Sequence, residues 1–218
     1  PQTILLDFEK ACMSAAQIAF PGAEIKGCYF HLSQSLLRKI GNVGLKTVYD
    51  DQEQIPMRLK MKSLAALAFV PQDDVRELFD QLAAEFPDEE RYNELITYFG
   101  STYIAGYAGR EPMFPVRIWN HHAAAAAGQE RTTNCCEGFH NSLRALFNCS
   151  HPGVWDLFEG LKKDMAIHIK TLVDAEIGNP EPKRKKYEIL MRKVMSVVLG
   201  YANEQDNMKY LRKIANIQ

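Results

Sequence analysis

Thr3-Ile4-Leu5-Leu6-Asp7-Phe8-Glu9-Lys10-Ala11 is the stretch on which the fold turns. Thr3 to Leu6 carry no charge and run straight into Asp7, and a helical pattern begins at once. A short unbroken apolar run suits a strand covered on both faces, the kind found in parallel sheets. An aspartate at the carboxyl end of such a strand stands where open α/β sheets place their ligands. There its oxygens suit a hard cation. The same residue also reads as a plain cap for the helix opening at Glu9.

Working outward, a helix is predicted from after Asp7 to about Phe20. Its small residues Ala11, Ala15, Ala16 and Ala19 would let it lie close to a sheet. Pro21-Gly22 ends it, and Glu24 to His31 reads as a second strand. Strand, helix and strand in so short a span form a crossover unit, so the strands should be parallel and the connection right-handed. Leu32, Leu36, Leu37 and Ile40 then follow at helical spacing, and Gly41 stops them.

From Asp50 to about Gly128 the strand signal is gone. Met57, Met61, Leu64 and Leu67 share one helical face, as do Val75, Leu78, Phe79 and Leu82, and then Tyr92, Leu95, Ile96 and Phe99. Amphipathic stripes of this kind can bury one another. Gly100 to Pro115 is loop-rich, and Ala123 to Ala127 is a low-complexity run compatible with helix or disorder. A helix opens near Asn134 with Phe139, Leu143, Leu146 and Phe147 on its apolar face. Trp155 to Asp174 is a long amphipathic helix, and two more follow the linker at Gly178 to Pro182. The division expected is a partial core over 1–50, a helical insertion over 51–130, a return to the core with an acidic helix over 131–175, and a helical extension over 176–218.

Composition limits the function. The 218 residues are 46 % hydrophobic, enough for a sizeable core, and the net charge of −1 gives no global pull toward nucleic acid. A local basic patch remains open as a DNA contact. No apolar run approaches the roughly 18 residues of a membrane span. Cys12, Cys28, Cys135, Cys136 and Cys149 form no disulfide framework and read as reduced, intracellular thiols. The chain opens at Pro1 and enters a strand two residues later, which reads as a fragment whose upstream partner strands lie elsewhere.

Few residues have the chemistry for a site. Glu137 reads as the closing member of a capping box with Asn134. It also shares a polar stripe with His140 and Arg144, at spacings of three and four. A carboxylate, an imidazole and a guanidinium on one face suit a metal-bound phosphate, and equally suit solvent. Cys28-x-x-His31 is half a zinc site by spacing. On a strand the two would point to opposite faces, so they can share a target only if the strand ends between them. His121-His122 is a weaker metal signal. Trp119 reads either as an anchor for the helical block or as a platform for an unstacked base. Lys183-Arg184-Lys185-Lys186 reads as a nuclear address, a phosphate contact or a solvated helix turn.

Taken in order, these pieces resemble the DDE catalytic domain of transposases of Mutator-like elements. The matching residues are Leu6-Asp7-Phe8-Glu9-Lys10-Ala11, Phe20-Pro21-Gly22-Ala23 and Gly27-Cys28-Tyr29-Phe30-His31-Leu32-Ser33-Gln34-Ser35-Leu36. Leu64 to Pro71, Phe114-Pro115 with Trp119-Asn120, Arg131 to Asn134, Glu137 to His140, and His151-Pro152 with Trp155 follow. The likeness spans about Pro1 to Asp174, and its specificity lies in the first two blocks taken together.

The resemblance implies an α/β fold with a ribonuclease-H-like core, partial here because upstream strands are missing, plus a large all-α insertion and a helical C-terminal extension. It implies that Asp7 and Glu137 are the second and third catalytic carboxylates and hold Mg²⁺ or Mn²⁺. It places Cys28 and His31 near the active site, and Trp119, His140 and Arg144 beside DNA. The implied activity is metal-dependent DNA strand cleavage and strand transfer in the nucleus, with DNA and a second copy of the chain as partners and no membrane. The family's first aspartate is not in this sequence, so the chain alone is expected to be inactive. Two other readings stand beside this one. One is a domesticated, catalytically silent DNA-binding regulator. The other is a helical interaction module with a structural Cys-x2-His zinc site, which zinc content would reveal.

Overall fold

The computed structural model describes residues 1–106, 110–149, 151–179 and 185–217. Strand β1 (Thr3–Leu6), helix α1 (Lys10–Ala19) and strand β2 (Glu24–Gly27) form the crossover unit expected from the opening stretch. The strands are parallel, with Thr3 opposite Glu24 and Leu6 opposite Gly27. Helix α1 sits less closely than its alanines suggested. Met13 is its one buried residue, and Ile18 is 82 % exposed.

Strand β2 ends at Gly27, four residues before the expected boundary. Helix α2 (Tyr29–Asn42) begins there, with Cys28 at its N-cap. Tyr29, Leu32, Leu36 and Ile40 recur at helical spacing and are all buried. That periodicity prevails over the β-preference of Cys28-Tyr29-Phe30. Gly44, at a φ of 74°, turns the chain out of the helix, a conformation glycine adopts at little cost.

The remainder is helical. Helices α3 (Lys46–Asp50), α4 (Ile55–Ala66), α5 (Val75–Ala84), α6 (Glu90–Phe99), α7 (Val116–Trp119) and α8 (His122–Ala126) follow in order. Then come α9 (Asn134–Phe147), α10 (Val154–Glu176), α11 (Lys185–Leu199) and α12 (Asn207–Ile217). The three middle stripes read from the sequence fall on α4 with its following 3-10 turn, on α5 and on α6. Met61, the run from Ser63 to Val70, and Val75 are all essentially without exposed surface, so the end of α4 is the centre of the core.

The fold class differs from the expectation. Among the described residues the only sheet is the β1–β2 pair, two strands of four residues each, in a chain that is otherwise mostly helical. This is not a ribonuclease-H-like α/β core. The crossover unit was legible, but a single such unit occurs in many folds. The core beside it is built from helices packing on helices.

Two compact units divide the chain: Pro1–Thr132 with Ile189–Gln218, and Thr133–Glu188. The last helix therefore packs into the first unit. Tyr210 donates its hydroxyl to the Phe69 carbonyl at 2.6 Å, and Arg212 reaches both Glu85 carboxylate oxygens at 2.8 and 2.6 Å. In the second unit α9 lies close on α10. A Cβ at Gly160 would stand 1.9 Å from the Phe147 ring, so only glycine admits that approach. Among the described residues no helix is long and apolar enough to cross a membrane.

Candidate functional site

The register of the two strands builds the site. Asp7 is the first residue beyond β1 and Cys28 the first beyond β2, and the Cys28 amide donates to the Leu6 carbonyl at 2.7 Å. Because β2 stops at Gly27, Cys28 caps α2 and His31 lies in its first turn. The condition set by the spacing is thereby met: the strand ends between the two, and both can face one point. One ligand atom each from Asp7, Cys28 and His31 lies within 4.8 Å of the others. Cys28 is wholly buried, the His31 side chain is 23 % exposed and that of Asp7 57 %.

Asp7 is not the helix cap. The N-cap of α1 is Glu9, which makes no side-chain capping bond, and the Asp7 carboxylate instead approaches His31 Nδ1 to 3.0 Å. The contact is within ion-pair range. The ring nitrogen is nevertheless shielded from solvent and makes no aligned hydrogen bond.

An open cleft of about 410 Å³ lies beside Asp7 and His31. Its floor is the polar face of α2: His31, Gln34, Ser35 and Arg38, at spacings of three and four, opposite the buried Leu32, Leu36 and Ile40. Arg38 donates to Gln34 Oε1 at 2.6 Å, and Ser35 shares a 2.8 Å hydrogen bond with the Tyr103 hydroxyl. Tyr103 comes from a π-helical turn over Gly100–Ile104 that extends α6. Such turns recur at functional sites. Phe8 closes the wall edge-on against Phe114 at 4.9 Å. Arg38 and Gln34 were not singled out in the sequence. The signal was present as a polar stripe in phase with His31, read only for its apolar side.

Immediately behind the strand ends lies a second group of polar residues with a different character. Trp119 is fully buried, its indole N–H shared between the carbonyls of Tyr103 and Phe114, each at 3.1 Å. Asn120 donates to the Val70 carbonyl at 2.7 Å. The His121 ring meets the Gly27 carbonyl at 2.9 Å, so Nε2 carries the proton, since a carbonyl can only accept. Burial pushes the His121 pKa down to about 4. The Trp119 ring has no exposed face to offer a DNA base; its position is that of the anchor. Neither His121 nor His122 joins the metal-ligating cluster among the described residues.

His140 and Arg144 are exposed on α9, in the second unit. The Glu137 side chain, residues 180–184 and the side chains of Lys185 and Lys186, and so the basic run, lie outside the described residues. A Mg²⁺ ion takes oxygen ligands in near-octahedral geometry. Among the described residues the donors around Asp7 are one carboxylate, one thiol and one imidazole. A thiol and an imidazole beside a single carboxylate do not fit Mg²⁺. Compared with known protein families, curated proteins and solved structures, the chain matches none.

Proposed function

We propose that the cleft beside Asp7 receives a DNA strand and that the chain belongs to a polypeptide that cleaves and rejoins DNA, in the manner of the transposases its motifs resemble. One observation supports this reading above the others: Asp7, His31 and Arg38 line a single open cleft at the ends of two parallel strands. Ligands of open α/β units lie at that end. Arg38 offers a planar fork of donors to phosphate oxygens. Arg38 supplies the positive end of the site, where a phosphodiester oxygen is held, and the Asp7 carboxylate, an acceptor itself, limits how far that anion enters. Cleavage and strand transfer are the same in-line displacement at phosphorus, with water or a DNA 3′-hydroxyl as nucleophile. A nuclear location goes with this reading.

The test is fluorescence anisotropy with a labelled DNA duplex bearing a single-stranded end, across a salt series, joined to plasmid nicking by the full-length polypeptide. Arg38→Ala should weaken binding several-fold and reduce the slope of affinity against salt by about one. Asp7→Asn should leave binding in place and remove nicking. Unchanged DNA affinity and salt slope in Arg38→Ala would exclude this cleft as the DNA site.

A further inference from the structure

We propose that Asp7, Cys28 and His31 form a three-ligand site for a zinc-class divalent ion, with its fourth coordination position turned toward the cleft. The disagreement with Mg²⁺ points this way. Thiolate and imidazole select borderline ions, and one carboxylate completes a mixed set that zinc accepts. Zinc bonds of about 2.0–2.3 Å place tetrahedral donors roughly 3.3–3.8 Å apart. The three ligand atoms here lie within 4.8 Å of one another, and Asp7 and His31, at 3.0 Å, need only part slightly, so small side-chain rotations bring them to an ion.

The scaffold favours this geometry. All three ligands stand on the ends of regular elements: Asp7 past β1, Cys28 past β2 and His31 in the first turn of α2. The amide bond from Cys28 to Leu6 ties the two strand ends together, and the His121 bond to Gly27 fixes β2 one residue earlier. Sites held by strand ends and helix starts keep their geometry better than sites on loops. The 3.0 Å contact between Asp7 and His31 holds two of the three ligands together. A structural zinc site needs four protein ligands. Among the described residues no fourth histidine, cysteine or carboxylate joins the three. Three protein ligands with one position open is the arrangement that admits water or a substrate oxygen. Facing Gln34 and Arg38, the open position suits a phosphate oxygen. This role toward phosphate rests on the DNA reading above, whereas the ion site itself does not.

Cobalt(II) is the probe, since it occupies zinc sites and reports its ligands by absorption. The full chain, stripped with chelator and titrated with Co²⁺, should bind one ion with a thiolate-to-metal charge-transfer band that Zn²⁺ bleaches. Cys28→Ser should remove that band although four other cysteines remain. Asp7→Asn and His31→Gln, whose side chains are partly exposed, should each weaken Co²⁺ binding at least tenfold with helicity unchanged by circular dichroism. Arg38→Ala should leave Co²⁺ binding untouched, so failure of the DNA reading and failure of the ion site register in different variants. A missing charge-transfer band, a band that survives Cys28→Ser, or Co²⁺ affinity indifferent to both Asp7→Asn and His31→Gln would overturn the proposal.

Discussion

Two histidines stand on either side of the end of β2, and they are employed in opposite ways. His121 is buried, neutral and committed to the Gly27 carbonyl. His31 stands at a cleft, beside a carboxylate and a thiol, with Nδ1 in no aligned hydrogen bond. The first belongs to a closed network with Trp119 and Asn120 in which each side chain serves a specific backbone carbonyl. The second belongs to a group of three side chains whose ligand atoms lie within 4.8 Å of one another. Buried polar groups are normally satisfied, so the shielded His31 Nδ1 without an aligned hydrogen bond is the informative one. The closed side should then carry stability and the open side binding.

The largest effect is expected at Trp119. Trp119→Ala removes a fully buried ring and leaves the Tyr103 and Phe114 carbonyls without its N–H. Losses of about 3–5 kcal/mol are usual for such truncations. Arg38→Ala, at an exposed position of the cleft, should stay within about 0.5 kcal/mol. Urea unfolding of the two variants measures the contrast directly. Equal losses would dissolve the distinction between the two sides.

A smaller effect follows from the His121 proton. Its folded pKa of about 4 lies below its ordinary value of 6.5, so the unfolded chain binds the proton first. The contribution is fully present above pH 6.5 and is lost as pH falls toward 4, a change of up to roughly 3 kcal/mol. Stability measured between pH 7 and 4 should fall less steeply in His121→Gln than in the parent chain. The same slope in both would place the acid sensitivity elsewhere.

The sequence disclosed these two sides unevenly. The crossover unit was legible because Thr3 to Leu6 is a short apolar run followed directly by helical spacing. The helical middle was legible because its stripes are long and in phase. The end of β2 was not, since Cys28, Tyr29 and Phe30 suit a strand as well as a helix start. That four-residue difference is what brings Cys28 and His31 to one point. Trp119 was left open between anchor and platform, because its neighbours Arg117 and Asn120 read as a loop; the bonds that settle the position lie elsewhere. The partners of Asn120 and His121, the carbonyls of Val70 and Gly27, are 50 and 94 residues away in the chain and invisible to local pattern. The ribonuclease-H-like core was inferred from resemblance rather than from strands, and the described chain holds two strands only.

Gly27 joins the two sides and gives the sharpest, if smallest, test. Its carbonyl accepts from His121, while its α-carbon lies under the Phe8 ring, next to Asp7. A Cβ there would stand 2.5 Å from Phe8 Cζ. A flexible side chain would swing aside, but this ring is held edge-on against Phe114 at 4.9 Å and Tyr103 at 6.0 Å. Gly27→Ala therefore forces either the ring or the turn carrying Asp7 to move, at a cost of about 1–3 kcal/mol typical of overpacking. Because the turn moves with Phe8, Co²⁺ affinity should fall about tenfold while the His121 contribution to acid sensitivity persists, since the carbonyl it serves remains. Gly27→Ala combined with Phe8→Leu, which gives the new methyl room, should recover much of the affinity. If Gly27→Ala lowers stability and leaves Co²⁺ affinity intact, Phe8 does not position Asp7, and the two sides of the strand end are mechanically independent.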